Sequence, residues 1–371
     1  MFPSGLTLPT KEIDGGFVET SGKRVFDISV APDVTAPNGK GGEWLIDPNN
    51  INIVSGSGNT NINTTNPFVS TDDSAQLGVD LITAALTGGA SVTITTGTGG
   101  ANSQDGDITF TANLDFSGTG SNSLSLIAAD DIIINGQIAA TAPLAGDLLD
   151  LTLQASNGNA TDGDNVQINN TIDLNGGNLT INANGVNGVG ITQSGAITQA
   201  AGAGAATFNG GAGAITLNAA NDFTGAVSLN NSGANNVAVT DANAIDLGPS
   251  SVGTGTLTVN GVGITQSGAI TQAAAAGAAT FNGGAGAITL NAANDFTGAV
   301  SLNNSGANNV AVTDANAINL GASSVGTGTL TVNGVGITQS GAITQAAGAG
   351  AATFNGGAGA ITLNAANDFT G

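Results

Sequence analysis

The sequence predicts an all-β, elongated solenoid, a right-handed parallel β-helix. Three observations lead there: a near-identical internal repeat, apolar residues spaced two apart, and Gly/Asn clusters where helix-length periodic segments would otherwise stand.

The repeat is explicit. GVGITQSGAITQ begins at Gly188 and returns at Gly261 and again at Gly334, the same interval each time. Residues 188–260 and 261–333 differ only at Gly202/Ala275, Asp246/Asn319 and Pro249/Ala322, and a partial third copy covers 334–371. Fixed-period self-similarity marks arrays in which each unit leaves an apolar face open until the next one covers it. The 371 residues therefore count coils rather than globular domains. Identical copies are expected to place identical residues on the same face, which makes one period a whole number of coils. At roughly 18 to 24 residues per coil this gives three or four coils per copy, an advance of about 14 to 19 Å at ~4.8 Å per strand. Residues 1–187 read as irregular coils of the same rod, and 188–371 as its regular part.

Within a copy the pairs Ile215/Leu217, Val227/Leu229, Val237/Val239, Ile245/Leu247 and Leu257/Val259 alternate with small or polar residues such as Thr216, Ser228, Asp246 and Thr258. A period of two places the first set inward and the second outward on short strands. Clusters such as Asn230-Asn231-Ser232-Gly233 end the strands, because Gly and then Asn enter φ > 0 most cheaply. The aliphatic core, with an occasional Phe208 or Phe223, suits a narrow interior of stacked side chains. Ahead of the repeat, strands are expected at Ser91–Thr95, Asp107–Thr111, Leu124–Ile127, Ile132–Ile134, Leu148–Leu153 and Leu179–Ile181. The one helix candidate is Asp80–Thr87, closed by Gly88-Gly89.

Composition bounds the function. With 40% hydrophobic residues and a mean hydropathy of +0.19, the chain has enough apolar surface to bury despite its 59 glycines. All four basic residues, Lys11, Lys23, Arg24 and Lys40, lie in the first forty positions; five of the 26 acids lie there too, leaving 21 beyond Lys40 without a positive side chain. Nucleic-acid binding, which requires Lys and Arg against phosphates, is excluded, and an anionic membrane surface is disfavoured. Zero cysteine removes disulfides and thiolate chemistry and is compatible with export through an oxidising compartment. MFPSGLTLPTKEIDGG contains no apolar run of signal-peptide length, so the chain is expected to be cytoplasmic or to lack its leader.

GGFVETSG at 15–22 and GEWLIDPNNI at 42–51, followed by GASVTITT at 89–96, GDITF at 106–110 and LSLIAADDI at 124–132, resemble the filamentous haemagglutinin family of secreted bacterial adhesins. The repeat unit with its NDFTGAVSL core is similar to repeat blocks of large exoproteins of that family. The resemblance implies a β-helical passenger exported through a partner outer-membrane channel and displayed as a fibre, secreted or at the outer-membrane surface. It implies neither cofactor nor catalysis.

The residues themselves offer several alternatives. Paired acids at Asp72/Asp73, Asp105/Asp107, Asp130/Asp131 and Asp162/Asp164 could serve polysaccharide hydrolysis or elimination, which needs two carboxylates of separated pKa in a cleft. A lyase would want a basic partner as well, and none follows position 40; turn acids that accept backbone hydrogen bonds are preferred. Asp-Gly-Asp at 105–107 and 162–164 could hold calcium, but the full loop motifs are missing. Thr-x-Thr pairs (Thr93/Thr95, Thr256/Thr258, Thr329/Thr331) occur too sparsely for an ice-binding face. Ser and Thr nucleophiles have no His to activate them, and Trp44 reads as an apolar plug. No catalytic, cofactor-binding or metal-binding residue is assigned. The expected function is a non-enzymatic adhesin segment acting as stalk or fibre, with a host or bacterial surface glycan or protein as partner and a tendency to associate end to end. A polysaccharide-active enzyme and a remnant of a larger exoprotein are the alternatives.

Overall fold

The computed structural model describes residues 17–20, 43–46, 50–96, 104–155, 163–185 and 189–371. Phe17–Thr20 pairs parallel with Glu43–Ile46, Phe17 opposite Glu43 and Thr20 opposite Ile46. The first two segments quoted for the resemblance, 15–22 and 42–51, therefore contribute paired strands; the side chain of Trp44 lies outside the described residues.

From Ile51 onward the chain is a β-solenoid. Two large parallel sheets face each other, wall one with sixteen strands and wall two with fifteen, and a four-stranded third wall flanks the N-terminal half. Thirteen strands succeed one another along wall two, which at ~4.8 Å per rung makes a rod about 60 Å long. Residues in register stack into ladders: Ile108, Ile132, Val166, Ile191, Ile215, Val237, Leu257, Ala279 and Val300 follow one another up wall one. All nine are fully or nearly fully buried. Val92, Leu124, Leu151, Leu179, Ala206 and Val227 do the same in wall two. Each aliphatic side chain removed from water contributes on the order of 1.5–3 kcal/mol, so the ladders supply the cohesion of a rod with few aromatic residues.

The expected strands are present. Val92–Thr95, Ile108–Phe110, Ser121–Ala128, Ile132–Ile134, Leu148–Ala155 and Leu179–Ala183 occupy the N-terminal half, and all five apolar pairs named in the repeat point inward. The helix is present as Val79–Thr87, with Val79, Ile82 and Leu86 buried. Gly88 donates to the Ala84 carbonyl at 3.0 Å, and Gly89, at φ +78°, donates to that of Leu86 at 2.8 Å. The helix packs against Leu114–Asp115, the first strand of the third wall. Asn122 Nδ2 donates to the Leu86 carbonyl at 3.1 Å, tying the helix end to wall two. At the same end of the rod, Asn59–Thr60 runs antiparallel along Ala75–Gly78 and covers the outer edge of wall one.

One expectation is corrected. A period of the repeat is three and a half coils, not a whole number. Partners on successive rungs of the repeat are separated by 19 to 24 positions, as in Thr265 with Asp246, Asn260 with Thr240, Asn282 with Asn260 and Ile288 with Ile264. Each copy thus makes seven passes between the walls, an odd number. Ala206–Asn209 lies in wall two, its equivalent Ala279–Asn282 in wall one, and Ala352–Asn355 in wall two again. Every strand of the first copy with a large-sheet position changes wall in the second. Period-two alternation fixes which side chains point inward but not which wall carries them. Both walls of the two-sided coils are lined by the same Val, Ile and Leu, so an odd number of half-coils costs nothing. The third wall ends where this symmetry begins: Ile197–Thr198 belongs to it, Ile270–Gln272 to wall two and Ile343–Gln345 to wall one.

Two features of the repeat carry measurable stability. Phe281 and Phe296 meet edge to face with centroids 5.7 Å apart. Phe296 is 2% exposed, whereas its equivalent Phe369 on the last rung is 38% exposed. Phe296→Ala should lower stability by about 3–5 kcal/mol and Phe369→Ala by far less, as read from urea unfolding midpoints. Ala275 is held at φ +60°, where Gly202 and Gly348 stand in the other copies at +78° and +77°. Because an L-residue is strained there, Ala275→Gly should stabilise by about 0.5–1 kcal/mol, visible as a higher thermal midpoint.

Candidate functional site

Three of the acids singled out in the sequence, Asp72, Asp107 and Asp131, accept backbone N–H groups. At the corner that leads into wall one, Asp107 Oδ1 accepts the Asp131 N–H at 3.2 Å and its Oδ2 accepts Asn50 Nδ2 at 2.9 Å. Asp131 Oδ1 in turn accepts the Asn165 N–H of the following rung at 2.8 Å. Each carboxylate thus holds the start of the next rung, as short acceptor side chains do in turns. Gly106 and Gly163, the central glycines of the two Asp-Gly-Asp segments, both have positive φ, +95° and +90°. With both oxygens of Asp107 engaged in this way, the turn serves the wall. Asp130 and Asp164 are buried at this corner, and Asp162 lies outside the described residues. Asp72 accepts the N–H of Asp73 within one turn at 2.8 Å. Among the described residues no group of three or more His, Cys, Asp or Glu is placed to hold a metal ion.

Other acids act in the same way. Asp147 accepts the N–H groups of Gly118, Leu144 and Gly120 at 2.7, 2.7 and 2.9 Å, and these hold its carboxyl below the ordinary value. Asp115 is partly desolvated, but hydrogen bonds from Ser117 and Thr141 prevail and bring it to about 2. Asp241 accepts from the N–H of Phe223 and of Asn243, both at 2.8 Å, and Asp314 repeats this with Phe296 and Asn316. Burial pushes both above the ordinary carboxylate value, aided by Asp222 and Asp295 respectively. Asp107 is raised by burial and by the neighbouring Asp105.

Asparagine carries more of the architecture than the sequence suggested. Asn221 is fully buried. Its Oδ1 accepts the Ile197 N–H of the rung below at 2.9 Å, and its Nδ2 donates to the Thr240 carbonyl of the rung above at 2.9 Å. Asn294 repeats the pattern with Ile270 and Thr313 at the same distances. At the strand ends, Asn303 donates to Asn282 at 2.9 Å and Asn282 to Asn260 at 2.8 Å, a ladder of neutral amides up wall one. Asn230, Asn209 and Asn182 form its counterpart up wall two. Thr258 is flanked in register by Ala238 and Thr280, so the sparse Thr-x-Thr pairs build no continuous threonine face.

The sequence model of one family, described as repeats of unknown function (DUF5649), matches residues 163–230, 234–303 and 307–371, more than half of the chain. The chain belongs to this family. The matched units begin ahead of Gly188 and are set out of phase with the copies that start there, so the stretch of the less regular part just before Gly188 shares the family pattern. No curated protein matches the chain.

The aspartates give a pH profile with two limbs. Asp107, Asp241 and Asp314 bind a proton more tightly folded than unfolded, so acidification from neutral toward 3.8 should stabilise the rod. Asp115 and Asp147 bind it less tightly folded, and the stability they supply should be lost as the pH falls from 3.8 toward about 2. A thermal midpoint that rises and then falls on acid titration, with the rise reduced in an Asp241→Asn, Asp314→Asn double variant, is the expected result.

Proposed function

We propose that this chain is a non-enzymatic shaft of a secreted or outer-membrane-displayed adhesin, exported through a partner outer-membrane channel and mediating attachment as a fibre. One observation carries the reading: successive copies extend the same two-walled rod by three and a half rungs each, while Asp107 and Asp131 of the paired acids are engaged by backbone N–H groups of the next rung. A catalytic solenoid needs one unrepeated cleft, and the repeat instead multiplies one surface along an axis. The resemblance of residues 15–22 and 42–51 to filamentous haemagglutinins supports export and attachment.

Antibody labelling of intact producing cells should detect the chain outside, and deletion of the partner channel should abolish the signal. Labelling only after lysis would sink the proposal. So would turnover of an acidic polysaccharide that Asp130→Asn or Asp131→Asn removes.

A further inference from the structure

We propose that the rod is two-edged: the same neutral binding groove recurs on its opposite edges, and each groove takes a segment of an uncharged, polyhydroxylated glycan, so that one molecule bridges two glycan chains. The inference rests on the attachment reading above and specifies its ligand and valency.

The groove of the second copy lies where the chain passes from wall one to wall two and is lined by Asn282, Gly284, Asn303, Asn304, Ser305 and Ser324. Its amides are held in fixed orientation. Asn303 donates one N–H to Asn282, and its oxygen accepts the Ser324 N–H at 3.1 Å. A second N–H of Asn303 remains for a ligand. Ser305 is exposed and donates to the Gly284 carbonyl at 3.2 Å, which leaves its oxygen as an acceptor. Gly284, at φ +54°, puts no side chain on the groove floor.

Beside this polar floor stands an apolar knob. Val262 is 54% exposed, and its Cγ2 lies 4.0 Å from where a Cβ on Gly284 would be. Val189 and Val335, its equivalents, are 44% and 54% exposed, so three of the six large exposed hydrophobic residues among those described are one repeat position. A valine exposed in all three copies, and in the second standing next to oriented amides and hydroxyls, matches a sugar ring, which offers a C–H face and a rim of hydroxyls that both donate and accept. None of the six lining residues is charged, and the chain has no basic side chain after Lys40. The acidic rod repels anionic glycans, which leaves neutral ones.

The second edge follows from the half-integral repeat. Gly211, Asn230, Ser232 and Ser251 repeat the polar floor where the chain passes from wall two to wall one: Asn230 donates to Asn209 at 2.9 Å, Ser232 to the Gly211 carbonyl at 3.1 Å and the Ser251 N–H to Asn230 at 3.0 Å. Ala183 and Asn184 stand next to Gly211, and the exposed Val189 lies on the same passage between the walls. Gly211 is likewise left-handed, at φ +59°. The two grooves face opposite ways and are offset by about 17 Å along the axis at ~4.8 Å per rung.

The test uses beads coated with neutral polysaccharides (dextran, mannan, galactan) or with polysialic acid, and the full chain at a concentration where sedimentation shows a monomer. The chain should capture and agglutinate beads of at least one neutral type and ignore polysialic acid. Val262→Asp with Ser305→Arg blocks one edge; Val189→Asp, Ser232→Arg and Val335→Asp block the other. All these side chains except Val189 are more than half exposed or in open turns, and circular dichroism with thermal melting checks that the rod is intact. Each single-edge variant should still capture beads while agglutination falls tenfold or more, and the combined variant should capture none. If no neutral bead is captured although the chain still attaches to cells, the glycan assignment falls and the attachment reading stands; attachment to neither removes both. A single-edge variant that agglutinates like the unaltered chain, or captures nothing, overturns the two-edged arrangement.

Discussion

The structure depends on parallel register between rungs. Each rung hydrogen-bonds to the ones below and above it, and because partners stand directly opposite, an inward residue always meets an inward residue. This single constraint yields both the backbone satisfaction that a buried sheet demands and the continuous aliphatic ladders from Ile108 to Val300. A one-residue slip would turn every inward side chain out to water, so register and core are one interaction seen from two sides.

Polar groups are admitted to this interior only where they serve the stacking. Asn221 and Asn294 are fully buried, yet each links the rung below to the rung above through the same side-chain amide. Asp241 and Asp314 stand one rung on from these amides and each hold two backbone N–H groups at a turn that strand pairing leaves open. The elevated proton affinity of these two carboxyls is the cost of placing an acceptor there, because desolvation opposes the charge that makes it a good acceptor.

Much of this was legible in the chain. Alternation in Ile215/Leu217 and Val237/Val239 gave strands, the Gly88-Gly89 pair marked the helix end, and the repeat announced a solenoid. The number of coils per copy was not legible, because a period of two distinguishes inside from outside and is blind to which of two similar walls a strand joins. The role of Asp107 and Asp131 was foreseen in kind, as turn acids. Their alignment into a rung-to-rung chain depends on unequal coils, a separation of 24 positions from Asp107 to Asp131 and of 34 from Asp131 to Asn165, which no local motif encodes. Val262 was visible in GVGITQ, but a lone apolar residue between glycines carries no sign of exposure until the corner that holds it is known.

The odd number of half-coils gives copy number a geometric meaning. Near-identical neighbouring units are the kind of sequence that gains or loses a member as a block. Here each gain or loss does more than alter reach by one increment: it swivels everything beyond the change through half a revolution about the long axis. Two rods that differ by one unit present their distal portions to opposite sides, and two that differ by a pair present them alike. Parity, and not length alone, decides which way the far portion of the molecule looks.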